Sequence, residues 1–366
     1  MRLEHRRAQH HGVAWQLREA GIPHARGHYA RTGETVTVHR STIRVALVGA
    51  GAMGSLHALV VTQSQDTELA CVVDPDAAVG AVLAERFRTR WVPEVDDFDD
   101  FDAVIVATPT STHLKWGIRA LEAQRPTLVE KPLADTVDDV RHLVAVARRG
   151  NVPLMCGLLE RFNPAVRTLM RIVDQPVHIE TVRHSPYAAR VVTGVAQDLL
   201  IHDVDLVLRL VGRLPSSIDA RFAYAHPSSE PGAEDVAEVT CDFDGTLASL
   251  SASRISQRKV RSLVVAELDR LIEVDLVRND ITVYRHVINA ALEEDGLGYR
   301  QQTVIDIPAI HDAREPLVSQ LERFVALTRD EADAADELDT LEPPHLVVDE
   351  VARIAATRYP GLRPPS

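Results

Sequence analysis

The chain has 366 residues, of which 45% are hydrophobic and 25% charged, a composition typical of an ordinary globular protein with about two domains. Its net charge of −13 argues against a nucleic-acid partner, because phosphate binding needs a basic face. No stretch approaches about 18 consecutive apolar residues, so no membrane span is predicted. Cys71, Cys156 and Cys241 are widely spaced, which predicts reduced thiols in the cytoplasm rather than disulfides or a zinc site.

Residues 1–42 form an N-terminal extension that precedes the first predicted strand. They carry seven arginines and six histidines against three glutamates. No apolar segment follows the basic start, so this is not a signal peptide. The composition favours a loosely ordered or subunit-wrapping segment over a ligand-binding one.

A dinucleotide-binding fingerprint begins at Ile43, where a buried strand runs into a glycine turn and a helix. The spacing G-x-G-x-x-G is met by Gly49, Gly51 and Gly54. The first glycine makes the tight turn, the second lets the backbone approach a pyrophosphate, and the third lets helix and strand pack closely. The helix N-terminus at Ala52 and Met53 then faces the phosphates with free N–H groups.

Asp74 decides between the two nicotinamide cofactors. It ends the second predicted strand, Leu69–Val73, 20 residues after Gly54. An acid there bonds the ribose hydroxyls and repels a 2′-phosphate, which predicts NAD over NADP. The alternative, a glycine turn that binds nothing, is disfavoured by this acid.

Strands and helices alternate from Ile43 onward, which predicts an α/β protein with an N-terminal Rossmann, doubly wound parallel sheet. The predicted strands are Ile43–Val48, Leu69–Val73, Ala103–Ala107, Thr127–Glu130 and Val152–Gly157, with helices such as Leu114–Ala123 and Val137–Arg149 between them.

After Arg161 the pattern changes to short alternating segments, which predict a C-terminal α+β domain with a large open, mostly antiparallel sheet. These segments are Val177–Val182, Ser217–Tyr224, Val236–Phe243, Leu247–Arg254, Leu263–Leu268, Leu271–Leu276 and Ile281–Tyr284. Asp244-Gly245 is a hairpin signal between two of them. Closing helices are predicted near Leu317–Leu327 and Pro344–Thr357, with Asp330–Asp339 between them as a solvated acidic segment. The expected division is 1–42, 43–160, 161–330 and 331–366.

Two strand ends carry candidate cofactor contacts, because ligands of open α/β sheets bind beyond the carboxyl ends of the strands. The turn Thr108-Pro109-Thr110 could line the nicotinamide ribose, although Ser111 or Thr112 in the same turn could simply cap the next helix. His113, in the first helical turn, is more often structural than catalytic.

Glu130 and Lys131 follow the next strand and precede Pro132. A lysine there lies where the reacting carbon of a bound nicotinamide should be, and its ammonium could stabilise an alkoxide or relay a proton. Pro132 restricts Lys131 to extended geometry. A surface lysine is the alternative.

The segment 198–211 predicts a nearly all-apolar, buried helix with one polar seam of Asp198, His202, Asp205 and Arg209. Asp198 lies four residues before His202, so its carboxylate could orient the imidazole as a general base for an alcohol proton. A structural ion-pair seam is the alternative, chiefly for Asp205 and Arg209. Metal ligation by His202 is a third option, but no further His/Cys cluster supports it, so no metal is predicted.

Arg161 and Asn163 lie at the expected domain junction. Asn163 and Pro164 form an N-cap and first-turn pair. Arg161 could grip a carboxylate or phosphate of the substrate, although a domain-joining salt bridge is equally compatible.

Taken in order, the motifs VALVGAGAMG, ATPTSTH, VEKPLA and DLLIHDVD resemble those of the Gfo/Idh/MocA oxidoreductase family from Ile43 to near the C-terminus. The resemblance implies metal-free oxidation of a sugar or cyclitol alcohol by NAD(P) in a homodimer or homotetramer. The family's lysine maps onto Lys131, and its helix acid and histidine map onto Asp198 and His202. One departure is Ala123-Gln124-Arg125-Pro126, where the family usually reads Gly-Lys-His-Val.

A looser resemblance links ERFNPAV at 160–166 and the segment after it to UDP-N-acetylglucosamine 3-dehydrogenases. It implies a nucleotide-sugar substrate and makes Arg183, Tyr187 and Arg190 candidate contacts, with surface arginines as the alternative. An inositol, aminocyclitol or free-sugar dehydrogenase is the competing enzyme. A non-catalytic sensor of NAD and sugar is the competing class, which the acid–base set Lys131, Asp198 and His202 disfavours.

Overall fold

A six-stranded, fully parallel sheet forms the first half of the protein, as the strand–helix alternation predicted. The computed structural model describes residues 41–188, 193–230, 232–293, 296–310 and 312–359, and the side chains of all of these except 288–300. The strands are β1 (Ile43–Val48), β2 (Thr67–Val73), β3 (Arg90–Val92), β4 (Ala103–Val106), β5 (Thr127–Val129) and β6 (Leu154–Cys156). Their spatial order β3-β2-β1-β4-β5-β6 is that of a doubly wound nucleotide-binding sheet.

Helices cover both faces of this sheet, which is why β4 and β5 are buried along their whole length. The helices of this half are α1 (Ala52–Gln63), α2 (Ala77–Phe87), α3 (His113–Glu122), α4 (Val137–Gly150) and α5 (Pro164–Ile172). Two side chains cap helices of this half, and the cap at Asn163 confirms the prediction. The Thr136 side chain accepts a hydrogen bond from the Asp139 N–H, and Asn163 accepts bonds from the first turn of α5, which begins at Pro164.

An eight-stranded sheet forms the second half, and it is mostly antiparallel as predicted. Its strands are β7 (His178–His184), β8 (Ser217–Ala223), β9 (Val236–Asp242), β10 (Leu247–Ser253), β11 (Val260–Ala266), β12 (Leu271–Asp275), β13 (Asp280–Glu293) and β14 (Gly296–Asp306). The order is β14-β13-β12-β11-β7-β10-β9-β8, with β7 and β10 as the parallel pair. The hairpin at Asp244-Gly245 is confirmed, with both residues at positive φ. The sequence pattern did not predict β3 or β14, and it ended β13 at Tyr284.

A long helical segment lies between β7 and β8. It starts with a π-helical turn, Ala196–Leu200, and continues as α6 (Ile201–Val211). Three helices close the chain, namely α7 (Pro316–Thr328), α8 (Ala334–Asp339) and α9 (Glu342–Arg358). Helix α9 packs against α4 and α6, so the C-terminal helix joins the two halves. None of the helices in the described ranges is long and apolar enough to cross a membrane.

The interpretation of Asp330–Asp339 as a solvated segment holds for most of its residues and fails at Glu337 and Leu338. Its second half folds into α8, and Glu337 and Leu338 are buried. The reason is a pair of cations from other elements: Arg161 and Arg323 both form ion pairs with the Glu337 carboxylate. An acidic composition alone did not show that one of these acids has partners inside the fold.

Candidate functional site

The glycine turn after β1 has the shape that a dinucleotide needs. Gly49 has φ +101°, and a Cβ at this position would lie 2.5 Å from the Ala107 carbonyl oxygen. A Cβ at Gly54 would lie 2.0 Å from the Gly49 carbonyl oxygen. At Gly51, by contrast, an added Cβ meets nothing within 4 Å. The open side of the turn is therefore at Gly51, where the start of α1 has neither a side-chain cap nor an acid in its first turn.

Asp74 stands at the end of β2, beside this turn. Its Oδ2 accepts a hydrogen bond from the Ala50 N–H at 2.8 Å, and its Oδ1 accepts one from the Asp76 N–H at 2.9 Å. An ionised carboxylate has about four acceptor positions, so two remain for ribose hydroxyls. The residues of the turn and Asp74 thus fit a dinucleotide, with the pyrophosphate at Gly51 and the start of α1.

The turn after β4 joins the cofactor side to the lysine strand. The Thr112 hydroxyl bonds the Thr108 hydroxyl at 2.7 Å and does not cap α3. His113 is buried, with Nε2 2.9 Å from the Thr108 carbonyl oxygen and Nδ1 2.9 Å from the Pro132 carbonyl oxygen. His113 therefore ties the Thr108 turn to the residue after Lys131, and both of its ring nitrogens are engaged within the chain.

Lys131, at the end of β5, meets Asp198 across the two halves of the protein. Its ammonium donates to Asp198 Oδ1 at 2.7 Å and to the Asp198 backbone carbonyl at 2.8 Å. The two side chains keep 21% and 27% of their surface exposed, so the pair lines a solvent-accessible site rather than a core. The Lys131–Pro132 peptide bond is cis.

The π-helical turn explains why Asp198 reaches Lys131. Its winding is wider than that of an α-helix, so spacing by four residues no longer stacks two side chains. Glu234 accepts a hydrogen bond from the Ala196 N–H at 2.8 Å and so fixes the start of the turn. Gly194 lets Glu234 approach, because a Cβ at this position would lie 2.0 Å from its carboxylate. The predicted hydrogen bond between Asp198 and His202 is therefore replaced by the Asp198–Lys131 ion pair.

His202 opens α6 and is partly buried. Burial, and then the positive charges of Lys131, Arg183 and Arg261, hold the pKa of His202 well below its ordinary value. The imidazole is therefore neutral at pH 7, with a free lone pair on one ring nitrogen. Its Nδ1 is buried and has no hydrogen-bond partner within the described ranges.

Glu130 is buried and both of its carboxylate oxygens have partners within the protein. Its Oε1 lies 2.7 Å from Nε2 of His57, which is buried on α1. Its Oε2 accepts a bond from the Lys131 N–H at 3.2 Å, and Gly157 leaves it room because a Cβ there would lie 2.5 Å from Oε2. Predicted as a cofactor contact, Glu130 instead anchors the loop that carries Lys131, residues 130–133, to α1.

His345, on α9, holds the same loop from the other side. Its Nε2 accepts a hydrogen bond from the Leu133 N–H at 2.9 Å, and its Nδ1 donates to the Leu341 carbonyl at 2.6 Å. Burial lowers the pKa of His345 to about 4, so the ring is neutral, as this donor–acceptor pattern requires. Sequence reasoning missed His57 and His345, whose one signal is a histidine among apolar positions of a helix.

The structure does not support Arg161 and Asn163 as substrate contacts. Both oxygens of Asp205 bind the Arg161 guanidinium, at 2.6 and 2.8 Å, and Glu337 completes the ion pair. The Arg161 side chain is 6% exposed, so the domain-joining salt bridge is the alternative that the geometry favours. Asn163 is also buried, and it caps α5 while donating to the Leu276 carbonyl.

Arg183 is likewise enclosed. It donates to both oxygens of Asp203 at 2.8 and 2.9 Å and to Glu160 Oε1 at 2.8 Å, with 1% of its surface exposed. Burial alone lowers the pKa of Arg183, but the carboxylates of Asp203 and Glu160 raise it above its ordinary value. Tyr187 stays partly exposed, stacks on the His226 ring and donates to the Ser228 carbonyl. Arg190 lies outside the described residues.

Arg261 and Lys259 were not predicted, and they bring positive charge to this site. Arg261 pairs with Arg183 in the β11–β7 register, and its Nη1 donates to Glu160 at 3.2 Å. Its side chain is 30% exposed, and its buried Nε has no partner within the described ranges. Lys259 precedes it on an exposed turn, and the nearby charge of Arg261 lowers the pKa of Lys259. Basic residues at the start of a strand gave no signal in the sequence that they face this site.

A glycine turn that fits a dinucleotide follows β1, and the Lys131–Asp198 ion pair follows β5 at the same edge of the parallel sheet, an arrangement typical of an oxidoreductase that uses a nicotinamide cofactor. Residues 43–158 match the family model for the NAD-binding Rossmann fold of the GFO/IDH/MocA oxidoreductases, and residues 173–270 match the model for the GFO/IDH/MocA C-terminal domain. The chain therefore belongs to the Gfo/Idh/MocA family, and NAD is its cofactor.

Among curated relatives, UDP-N-acetylglucosamine 3-dehydrogenase of Acidithiobacillus ferrooxidans is 30% identical over 292 residues, 77% of this chain and 88% of that protein. Inositol 2-dehydrogenase of Rhizobium meliloti is 27% identical over 263 residues, 65% of this chain and 80% of that protein. Among solved structures, the A. ferrooxidans UDP-N-acetylglucosamine 3-dehydrogenase GnnA matches with a TM-score of 0.74 and 26% identity, covering 86% of this chain and 97% of that one.

Proposed function

We propose that this protein oxidises a secondary hydroxyl of a sugar with NAD, and that the sugar is a UDP-N-acetylhexosamine oxidised at C3 to a keto sugar. The observation that carries the reaction class is the meeting of Lys131 and Asp198 at 2.7 Å beside a neutral His202. Lys131 follows the carboxyl end of β5, at the same edge of the parallel sheet as the turn that fits a dinucleotide. We further propose that the protein is a cytoplasmic homo-oligomer.

The roles of the side chains follow from their charge states. Bound NAD supplies the hydride acceptor. His202 accepts the hydroxyl proton, since its neutral ring is available as a base. The Lys131 ammonium stabilises the negative charge that develops on the substrate oxygen, and Asp198 holds Lys131 in position.

The charge around His202 supports an anionic substrate. Three cations act on His202, namely Lys131, Arg183 and Arg261, and a fourth, Lys259, lies near Arg261. The acids paired with them are Asp198, Asp203 and Glu160. A neutral sugar leaves this excess uncompensated, whereas the diphosphate of a nucleotide-sugar complements it. Arg261 and Lys259 replace Arg161 and Arg183 as the proposed diphosphate contacts, while Tyr187 and Arg190 remain proposed ones.

An inositol or free-sugar dehydrogenase is the second candidate. It is favoured by the similarity to inositol 2-dehydrogenases and by the Lys131–Asp198–His202 set, which serves that chemistry equally well. A neutral cyclitol, however, makes no use of the excess positive charge.

The reaction class is tested by following NADH formation with UDP-N-acetylglucosamine, myo-inositol and glucose. We expect turnover of the UDP-sugar, and a fall in kcat of about 10²–10⁴-fold in Lys131→Ala and His202→Asn. Lys115→Ala is the matched control, because that lysine is exposed on α3 and pairs with Glu94 at the surface. Near-normal kcat in both site variants would refute these roles.

The substrate class is tested separately by competition with UDP alone. We expect UDP to compete with substrate in the wild type and to lose at least tenfold in affinity in Arg261→Gln, which removes the charge and keeps a polar side chain. Arg258→Gln, on the exposed turn before β11, is the control. If inositol is turned over and UDP does not bind at millimolar concentration, the nucleotide-sugar proposal fails and an inositol dehydrogenase becomes the proposed function.

A further inference from the structure

A cavity of about 710 Å³ lies among α5, α6, α7 and α8. It shares no residue with the glycine turn or with Lys131, Asp198 and His202. Its lining is rich in arginine although the chain has a net charge of −13. The six arginines are Arg161, Arg167, Arg171, Arg209, Arg314 and Arg323, against three acids, Glu322, Asp336 and Glu337.

Four of these arginines are held by carboxylates of the chain. Their partners are Asp205, Asp312, Glu322 and Glu337. They therefore form the frame of the cavity and have little charge left for a ligand.

Arg171 and Arg209 are different. Each is exposed, and neither has a hydrogen bond or an ion pair within the described ranges. Burial of its inner part, followed by the nearby charge of Arg161, lowers the pKa of Arg209, while the carboxylates of Asp205 and Glu337 raise it. An anion bound there would give the Arg209 guanidinium the partner that it lacks within the described ranges.

Ser319 gives an independent indication of a ligand. It lines the cavity from α7 with 6% of its surface exposed, and its Oγ is buried without a hydrogen-bond partner in the part of the chain described. A buried hydroxyl without a partner costs stability, so it is expected to serve a bound group. Phe162, Val166 and Met170 supply an apolar wall beside it.

We propose that this cavity binds an organic phosphate at a site separate from the dinucleotide and the sugar. Arg171 and Arg209 hold the phosphate, because guanidinium groups match its geometry with paired hydrogen bonds. Ser319 donates its hydroxyl, and the body of the ligand lies on the apolar wall. The volume is within the range of about 300–1,000 Å³ usual for small-molecule sites.

Calorimetric titration with phenyl phosphate, inorganic phosphate and phenol tests this site on the full chain. We expect phenyl phosphate to bind more tightly than inorganic phosphate and phenol not to bind. Arg171→Gln and Arg209→Gln should each weaken the binding of phenyl phosphate at least tenfold. Arg149→Gln is the matched control, since Arg149 is an exposed arginine of α4 that does not line the cavity.

NAD titration of the same variants separates this proposal from the proposed function. We expect NAD affinity and kcat to stay unchanged in Arg171→Gln and Arg209→Gln. An affinity for phenyl phosphate that is the same in all three variants as in the wild type, or that NAD abolishes, would overturn the second site. Equal affinities for phenyl phosphate and inorganic phosphate would overturn the role of the apolar wall.

Discussion

His345 should make the stability of the protein fall in mildly acidic solution. Its pKa is lowered to about 4 in the folded protein, against about 6.5 for an exposed histidine of the unfolded chain. As the pH falls through this window, the unfolded state gains a proton that the folded state refuses. The contribution of His345 is therefore fully present above about pH 6.5 and is lost progressively down to about pH 4. The difference corresponds to roughly 3 kcal/mol of unfolding free energy.

The substitution His345→Gln isolates this effect. A glutamine oxygen can accept the Leu133 N–H bond that the imidazole accepts now, and it does not titrate. Urea unfolding at about pH 7.5 and about pH 4.5 should show the wild type losing about 2–3 kcal/mol more than the variant. His142→Gln, at an exposed position of α4, should behave as the wild type does.

Two results would refute this reasoning. Equal pH dependence in the wild type and in His345→Gln would mean that the ring is not buried in the neutral form. A fall in stability that begins only below about pH 4 would mean that protonation of carboxylates, rather than of His345, governs acid unfolding.

Asp74→Ala should weaken NAD binding and lower the ratio of the NADP to the NAD dissociation constant, because the carboxylate beside the glycine turn accepts ribose hydroxyls. Fluorescence titration measures both constants, and a wild type that binds NADP as tightly as NAD would contradict this role. Gly51→Ala should fold normally and lose NAD affinity, because its Cβ meets only open space, whereas Gly54→Ala should lower Tm strongly, because its Cβ would lie 2.0 Å from a carbonyl oxygen. Arg161→Ala should lower the free energy of unfolding in urea by about 3–5 kcal/mol, because it leaves Asp205 buried and unpaired. UDP should still compete with substrate in the folded fraction of this variant.

The sequence by itself determined the two-sheet architecture and the cofactor. Buried strands of period two, a glycine turn and an acid 20 residues further on are local patterns, and each was found within a few residues of its predicted position. Gly49, Gly54 and Asp74 could be predicted because their roles depend on backbone geometry within one strand–turn–helix unit.

Only the tertiary structure decided which charged groups face each other. Asp198 was assigned to His202 by helical spacing, but a π-helical turn delivers it to Lys131 in the other half of the chain. Arg161 and Arg183 carried no sequence mark that distinguished them from Arg261, because burial depends on elements far away in the sequence. Pairing between distant segments is not encoded in any local period, so the partners of the buried charges, and with them the lining of the site, emerged only when the two sheets were packed together.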